Sequence, residues 1–288
     1  MPPACFGGTV PFLSDPPRNF PAMTNNVTSS DGTRIAYDLL GAGPPAIVVG
    51  GATCDRAKMA GVSAELAHHY TVVNFDRRGR GSSGDTQPYA VAREVEDLAA
   101  LLAEVGGSAF VYGHSSGAGL VLHAMAAGLP VARAVLHEPP YGGADMAEET
   151  RSAAGSLTAL LEAGRRDDAL AMFFAITGAP SSMVDEWRGE PWWADTVAMA
   201  HTLAYDSTIM DDETGGTVPH DLAHKAAPPT LVLVGGESPE WMIAADRTLA
   251  DALPAGQFRI LDGEQHVVAP PLLISVLHDF FTKEVAND

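Results

Sequence analysis

The sequence predicts an α/β fold: a mostly parallel sheet with helices on both faces, interrupted by one all-helical insert. Two observations carry this. From residue 24 onward, short apolar runs alternate with longer segments of helical periodicity. Strands that alternate with helices form parallel sheets covered on both sides. Between Pro139 and Pro229 the alternation stops and only helical patterns remain.

The elements follow in order. Residues 27–30 and 33–40 flank Asp31-Gly32, a tight-turn pair, and predict a β-hairpin. Residues 46–49 form a short apolar strand ending in Gly50-Gly51, and residues 71–75 form another. Val91, Val95, Leu98, Leu102 and Val105 recur at helical spacing and mark one buried stripe. A strand at 109–112, a helix at 117–128 and a strand at 134–137 come next. After Pro228-Pro229 the pattern resumes with a strand at 230–234, a helix at 240–253, a strand at 258–261 and a helix at 272–281. The insert carries helical segments at about 147–164, 167–177, 181–187 and 192–209. It holds Trp187, Trp192 and Trp193 with Met172, Met183, Met199 and Met210. Most of these side chains are expected to fill the insert's own small core. A helical insertion at this place is also a candidate lid over a site.

Composition bounds the function. The chain has 288 residues, with 17 Lys+Arg against 36 Asp+Glu and a formal charge of −19. Nucleic acid and anionic membranes would repel such a chain, so neither is expected as a partner. Apolar residues make up 46% and charged ones 18%, which excludes wholesale disorder. No apolar run reaches the roughly 18 residues of a transmembrane helix. Two cysteines, Cys5 and Cys54, cannot build a disulfide framework and fit a reducing compartment, so a cytoplasmic location is expected. Pro2, Pro3, Pro11, Pro16, Pro17 and Pro21 crowd a start that lacks the regions of a signal peptide, and Met23 follows them. Residues 1–23 are therefore expected to be a disordered or extraneous tail. Residues 24–288 are expected to form one domain with a helical cap at about 140–228. His220 and His224 stand four apart, but without a third ligand or H-E-x-x-H they do not suggest zinc. No phosphate loop or complete dinucleotide fingerprint exists, so neither cofactor nor metal is expected.

The sharpest local signal is Gly113-His114-Ser115-Ser116-Gly117, a G-x-S-x-G between a predicted strand and a predicted helix. A sharp turn there strains the serine backbone and lifts its hydroxyl above the strand's carboxyl end. Gly113 and Gly117 leave room for helix to pack on strand. The helix N-terminus behind Ser115 favours developing negative charge.

With these residues the chain resembles the α/β-hydrolase family from about Thr24 to its C-terminus. It is similar in detail to a group of actinobacterial α/β-fold hydrolases. Asp76-Arg77-Arg78-Gly79-Arg80-Gly81-Ser82-Ser83 looks like the family's D-x-R-G-x-G-x-S turn. Val48-Val49-Gly50-Gly51-Ala52 sits where the family has its oxyanion loop, with Gly50 in place of the usual His. Gly263-Glu264-Gln265-His266 sits where the catalytic histidine follows the last strand. The resemblance implies an eight-stranded, mostly parallel sheet, Ser115 as nucleophile and His266 as base. It also implies an oxyanion hole from the backbone N–H groups of Ala52 and Ser116.

The acid departs from the common pattern. Most of the family carries it after the seventh strand, and there this chain reads Gly235-Gly236-Glu237-Ser238, with Ser at the usual Asp position. A hydroxyl cannot stabilise an imidazolium as a carboxylate does. Glu138, at the end of the sixth strand in Leu136-His137-Glu138-Pro139-Pro140, is the preferred replacement, because haloalkane dehalogenases place their acid after that strand. Pro139-Pro140 are expected to hold it in an extended turn. Glu237 and Glu240 stand behind it as alternatives.

Ser115 in place of an Asp nucleophile excludes dehalogenase chemistry and suits ester, lactone or thioester cleavage through an acyl-enzyme. A small apolar substrate is expected between the turn and the insert. His114 is expected to line the turn, and Trp192, Trp193 and Met210 are the other candidate lining residues. The competing reading is a non-hydrolytic lyase or cyclase, or a degenerate binding protein, in specialised metabolism. The missing acid after the seventh strand favours it.

Overall fold

The computed structural model describes residues 24–283, so the expected tail at 1–23 lies outside the described residues. The chain enters through an antiparallel hairpin, β1 (Thr24–Thr28) and β2 (Arg34–Leu40). Asp31 closes the turn by accepting from the Thr33 N–H at 2.9 Å, and Gly32 takes φ +86° there. Then β3 (Pro45–Val49), α1 (Ala60–Leu66), β4 (Thr71–Phe75), α2 (Val91–Glu104), β5 (Ala109–His114), α3 (Ser116–Ala126) and β6 (Val131–His137) alternate. After the insert come β7 (Thr230–Gly235), α10 (Glu240–Ala252), β8 (Gly256–Leu261) and α11 (Pro270–Thr282).

The eight strands form one sheet in the order β1-β2-β4-β3-β5-β6-β7-β8. β2 pairs antiparallel with β4, and every pair from β4 through β8 is parallel. The chain steps outward from β3 to β4, then returns to lay β5 on the other side of β3. Ligands in open α/β sheets bind above the carboxyl ends of the strands at such a reversal. Ser115 follows β5 at that place.

The central strands are buried along their length because both faces are covered. One face packs Leu98, Leu101, Leu120, Val121 and Leu249 from α2, α3 and α10. The other packs Val62, Leu66, Leu273, Leu277 and Phe281 from α1 and α11. Each such side chain contributes about 1.5–3 kcal/mol by leaving water. α3 is buried on nearly every side, which suits its run of glycine, alanine and leucine.

The insert comprises α4 (Ala147–Glu162), α5 (Arg166–Ile176), α6 (Ser181–Trp187), α7 (Pro191–Ala198), a 3-10 turn (Ala200–Thr202), α8 (Leu203–Met210) and α9 (His220–Ala223). It has its own apolar cluster of Leu157, Leu170, Val184, Trp193 and Leu203. The helix expected at 192–209 is broken. At Met199 the chain leaves the α-helix, and Thr202 Oγ1 donates to the Met199 carbonyl at 2.8 Å, a local bond that competes with the helical ladder. The break sets α8 on its own course against α3. Among the described residues no helix is long and apolar enough to cross a membrane.

Candidate active site

Ser115 sits at the junction of β5 and α3 with φ 56° and ψ −130°, a conformation costly for a residue with a side chain. Three contacts hold it there. Its N–H donates to the His137 carbonyl at 2.8 Å. A Cβ on Gly113 would come within 2.7 Å of Ala118 Cα, and one on Gly117 within 2.4 Å of the Val49 carbonyl. Both positions therefore demand glycine for the strand, the turn and the helix to approach. Ser116 opens α3, so its N–H has no carbonyl one turn earlier in the helix to bond.

Glu138 stands at the end of β6 with no exposed surface. Its Oε2 lies 2.5 Å from His266 Nδ1. Its Oε1 accepts from the Gly235 N–H at 2.7 Å and from Ser238 Oγ at 2.6 Å. Burial pushes the carboxyl pKa up, but the hydrogen bond and charge of His266, helped by His137 and Ser238, outweigh it and bring it down to about 2. The extended turn expected at Glu138-Pro139 is not what forms. Glu138 has φ 47°, in the left-handed region, because its N–H is tied to the Leu233 carbonyl while its carboxylate is held by three other partners. Glu237 and Glu240 are both exposed, and His266 Nδ1 bonds Glu138 instead. Ser238, at the position where the resemblance expected an acid, instead donates to a carboxylate from the neighbouring strand.

His266 follows β8 and is partly buried. It uses Nδ1 toward Glu138, and its carbonyl accepts from His114 Nε2 at 2.9 Å. This leaves Nε2 of His266 for the Ser115 hydroxyl. That last hydrogen bond is not formed among the described residues, and such bonds often tighten only with substrate in place. His114 and His137 are buried and kept neutral. Burial, then the neighbouring histidines, pushes His114 well down, and burial brings His137 to about 4. Tyr112 OH pairs with His137 Nδ1 at 2.8 Å.

On the other side of Ser115, Gly51 packs so closely that a Cβ there would lie 2.7 Å from Ser115 Cβ. The next residue, Ala52, packs against the insert's apolar cluster, and so does Trp192. Trp193 is buried within that cluster and donates Nε1–H to Asp167 at 2.6 Å. Met210, at the end of α8, is buried against Gly119 of α3.

A buried charge network that the sequence reading did not anticipate lies beside this loop. Arg77 holds Glu94 in a fork, Nε to Oε2 at 2.7 Å and Nη2 to Oε1 at 2.8 Å. Its Nη1 reaches Asp206 Oδ1 at 2.8 Å and the Gly50 carbonyl at 3.3 Å. Arg80 donates from Nη2 to both Asp206 oxygens at 2.8 Å, and from Nη1 to the Gly51 carbonyl. Ser116 Oγ donates to Asp206 Oδ1 at 2.7 Å. Burial raises the Asp206 pKa, but Arg80 and Arg77 reverse the shift, so the carboxyl is held below its ordinary range. The available signal was helical spacing. Asp206 shares a face with Leu203, Ile209 and Met210, and a carboxylate on an apolar stripe needs a cation.

The chain is similar to known hydrolases in sequence and fold. An alpha/beta hydrolase from Sphaerobacter thermophilus DSM 20745 superposes with a TM-score of 0.81 at 45% identity, covering 90% of this chain and all of that one. Uncharacterized hydrolase YraK of Bacillus subtilis is 36% identical over 100 residues, 33% of this chain and 37% of its own length. N-formylmaleamate deformylase of Pseudomonas putida is 34% identical over 120 residues, 40% of this chain and 45% of its own length. The chain thus spans less than half the length of these two curated relatives. The family model described as "Alpha/beta hydrolase family" matches residues 46–273, and the chain belongs to that family.

Proposed function

We propose that this hydrolase cleaves a small ester, lactone or thioester through an acyl-enzyme, with Ser115 as nucleophile, His266 as base and Glu138 as acid. One observation carries the proposal: a strained Ser115 stands at a strand–helix turn, and His266 after the last strand has its Nδ1 held by a fully buried carboxylate. The steps follow from that. With Nδ1–H donated to Glu138, Nε2 takes the Ser115 proton as Oγ bonds to the substrate carbonyl carbon. The carbonyl electron pair moves to oxygen, where the N–H groups of Ala52 and Ser116 receive it. Collapse expels the leaving alkoxide or thiolate, which takes the proton from His266 Nε2. Water then repeats the sequence at the acyl carbon, and the acid and Ser115 are released.

The apolar cluster above Ala52 favours a small apolar or aromatic acyl group. One relative carries the name of a deformylase, and removal of a formyl group is also acyl transfer, so short acyl groups belong in the first substrate panel. The function needs a small-molecule substrate and neither metal nor organic cofactor. A reducing cytoplasm suits the buried free thiol of Cys54. A fluorophosphonate probe tests the proposal. Mass spectrometry is expected to find the adduct on Ser115 in the wild type and none in Ser115→Ala. Absence of labelling in the wild type favours the lyase or binding-protein reading instead.

A further inference from the structure

The proposed oxyanion hole is built from two segments that no covalent link keeps in register: the loop Gly50-Gly51-Ala52 after β3, and Ser116 at the start of α3. We infer that Asp206, on helix α8 of the cap, is the positioning residue that clamps those two segments together. This rests on the serine-hydrolase reading only for the identity of the two N–H donors.

The geometry is specific. Asp206 Oδ1 receives Ser116 Oγ at 2.7 Å, which anchors the elbow side. The same carboxylate receives Arg77 Nη1 and both bonds from Arg80 Nη2, each at 2.8 Å. The two guanidinium groups in turn hold the carbonyls of Gly50 and Gly51, which anchors the loop side. Arg80 also reaches the Cys54 carbonyl at 3.3 Å, past the next turn of the loop. One carboxylate thus sits between the two halves, and a side-chain carbonyl without charge could not satisfy both arginines. Arg77 and Arg80 occupy the variable positions of the D-x-R-G-x-G-x-S turn, while Arg78 pairs separately with Asp97 and Asp31.

A second contact joins cap to loop independently. Lys58 Nζ donates to the Thr53 carbonyl at 2.6 Å and to Thr196 Oγ1 of α7 at 3.1 Å. Thr53 adopts φ 58°, so this stretch of loop is itself in a left-handed conformation that needs outside support. The insert is therefore tied to this loop as well as to its own apolar cluster. Its helices α7 and α8 complete the scaffold of the loop that is to receive developing charge.

Donors aimed at a transition-state oxyanion matter little to ground-state binding, so a misplaced hole lowers kcat and leaves KM nearly unchanged. Two variants test this. Asp206→Asn removes the charge that joins the arginines. Ser116→Ala removes only the hydroxyl bond and leaves every arginine contact and the backbone N–H in place. For Asp206→Asn a kcat loss of about 100-fold is expected, the size of one lost oxyanion donor, with KM within about threefold. A boronic acid that forms a tetrahedral adduct on Ser115 is expected to lose affinity by the same factor. Ser116→Ala is expected to lose about tenfold in both. Amide hydrogen exchange of peptides covering residues 50–56 is expected to speed up in both variants. A fall in melting temperature with kcat and boronate affinity intact would overturn the inference and leave Asp206 a merely structural residue. Unchanged exchange at 50–56 would overturn it as well, whatever reaction the protein performs. Missing fluorophosphonate labelling of the wild type removes only the hydrolase reading, so the two failures are distinguishable.

Discussion

Glu138 and Asp206 are both buried carboxylates near the Ser115 turn, one bonded to His266 and the other to Ser116. Glu138 is held entirely by the sheet: backbone at Leu233 and Gly235, Ser238 after β7, and His266 after β8. Asp206 comes from helix α8 of the insert and is held by two full cations. In the proposed mechanism the first carboxylate faces a group, His266, that gains and loses a proton in each turnover. The second faces groups that never titrate in the working range. Under that proposal the Glu138 side meets charge that comes and goes, and the Asp206 side holds charge that stays.

Replacing each carboxylate by its amide sharpens this contrast most. Glu138→Gln keeps the shape and can still accept from Gly235 and Ser238, but it donates to His266 Nδ1 and forces the wrong tautomer. Its kcat on p-nitrophenyl acetate is expected to fall by about 10⁴-fold. Asp206→Asn strands a buried cation, and its unfolding free energy is expected to fall by about 3–5 kcal/mol in denaturant titration. An Asp206→Asn protein as stable as the wild type would break the comparison.

Acid separates the two sides next. His137 is buried with a pKa of about 4 against an ordinary value of 6.5. Its neutral form is favoured on folding, so this contribution is full above pH 6.5 and is lost as pH falls to about 4. That shift corresponds to about 3 kcal/mol. Glu138, lowered from 4.5 to about 2, adds a further loss between those values. His137→Asn is expected to flatten the decline of unfolding free energy between pH 6.5 and 4. An unaltered slope would remove His137 from the account.

Smaller changes follow on each side. Gly51→Ala drives a methyl against Ser115 Cβ and the His114 carbonyl, at 2.7 and 2.9 Å, so one of them must move. Overpacking of this kind costs about 1–3 kcal/mol, and kcat is expected to fall about tenfold or more. Ser238→Ala removes one of three hydrogen bonds to Glu138. Thermal unfolding is expected to show a loss of about 1 kcal/mol, with kcat reduced only severalfold.

Much of this was legible from the sequence. The strand–helix alternation is strong wherever strands are buried on both faces, and Gly113 and Gly117 around Ser115 mark the turn by necessity of space. Glu138 was legible because it ends a strand beside the histidine's edge of the sheet. Asp206 was not, since 90 residues separate it from Ser116 and nothing local pairs an arginine turn with one carboxylate in a distant helix. The break at Met199 was hidden for a related reason. Apolar periodicity runs on through residues 192–209, and only tertiary packing decides that α8 must turn toward the arginines.

The hydroxyl of Ser238 lies 2.6 Å from Glu138, so an acid after β7 and an acid after β6 compete for one socket. A lineage holding both would place two carboxylates in contact, and one would have to keep its proton. Ser238 at the second strand end spares this chain such a proton-sharing pair and leaves Glu138 free to ionise.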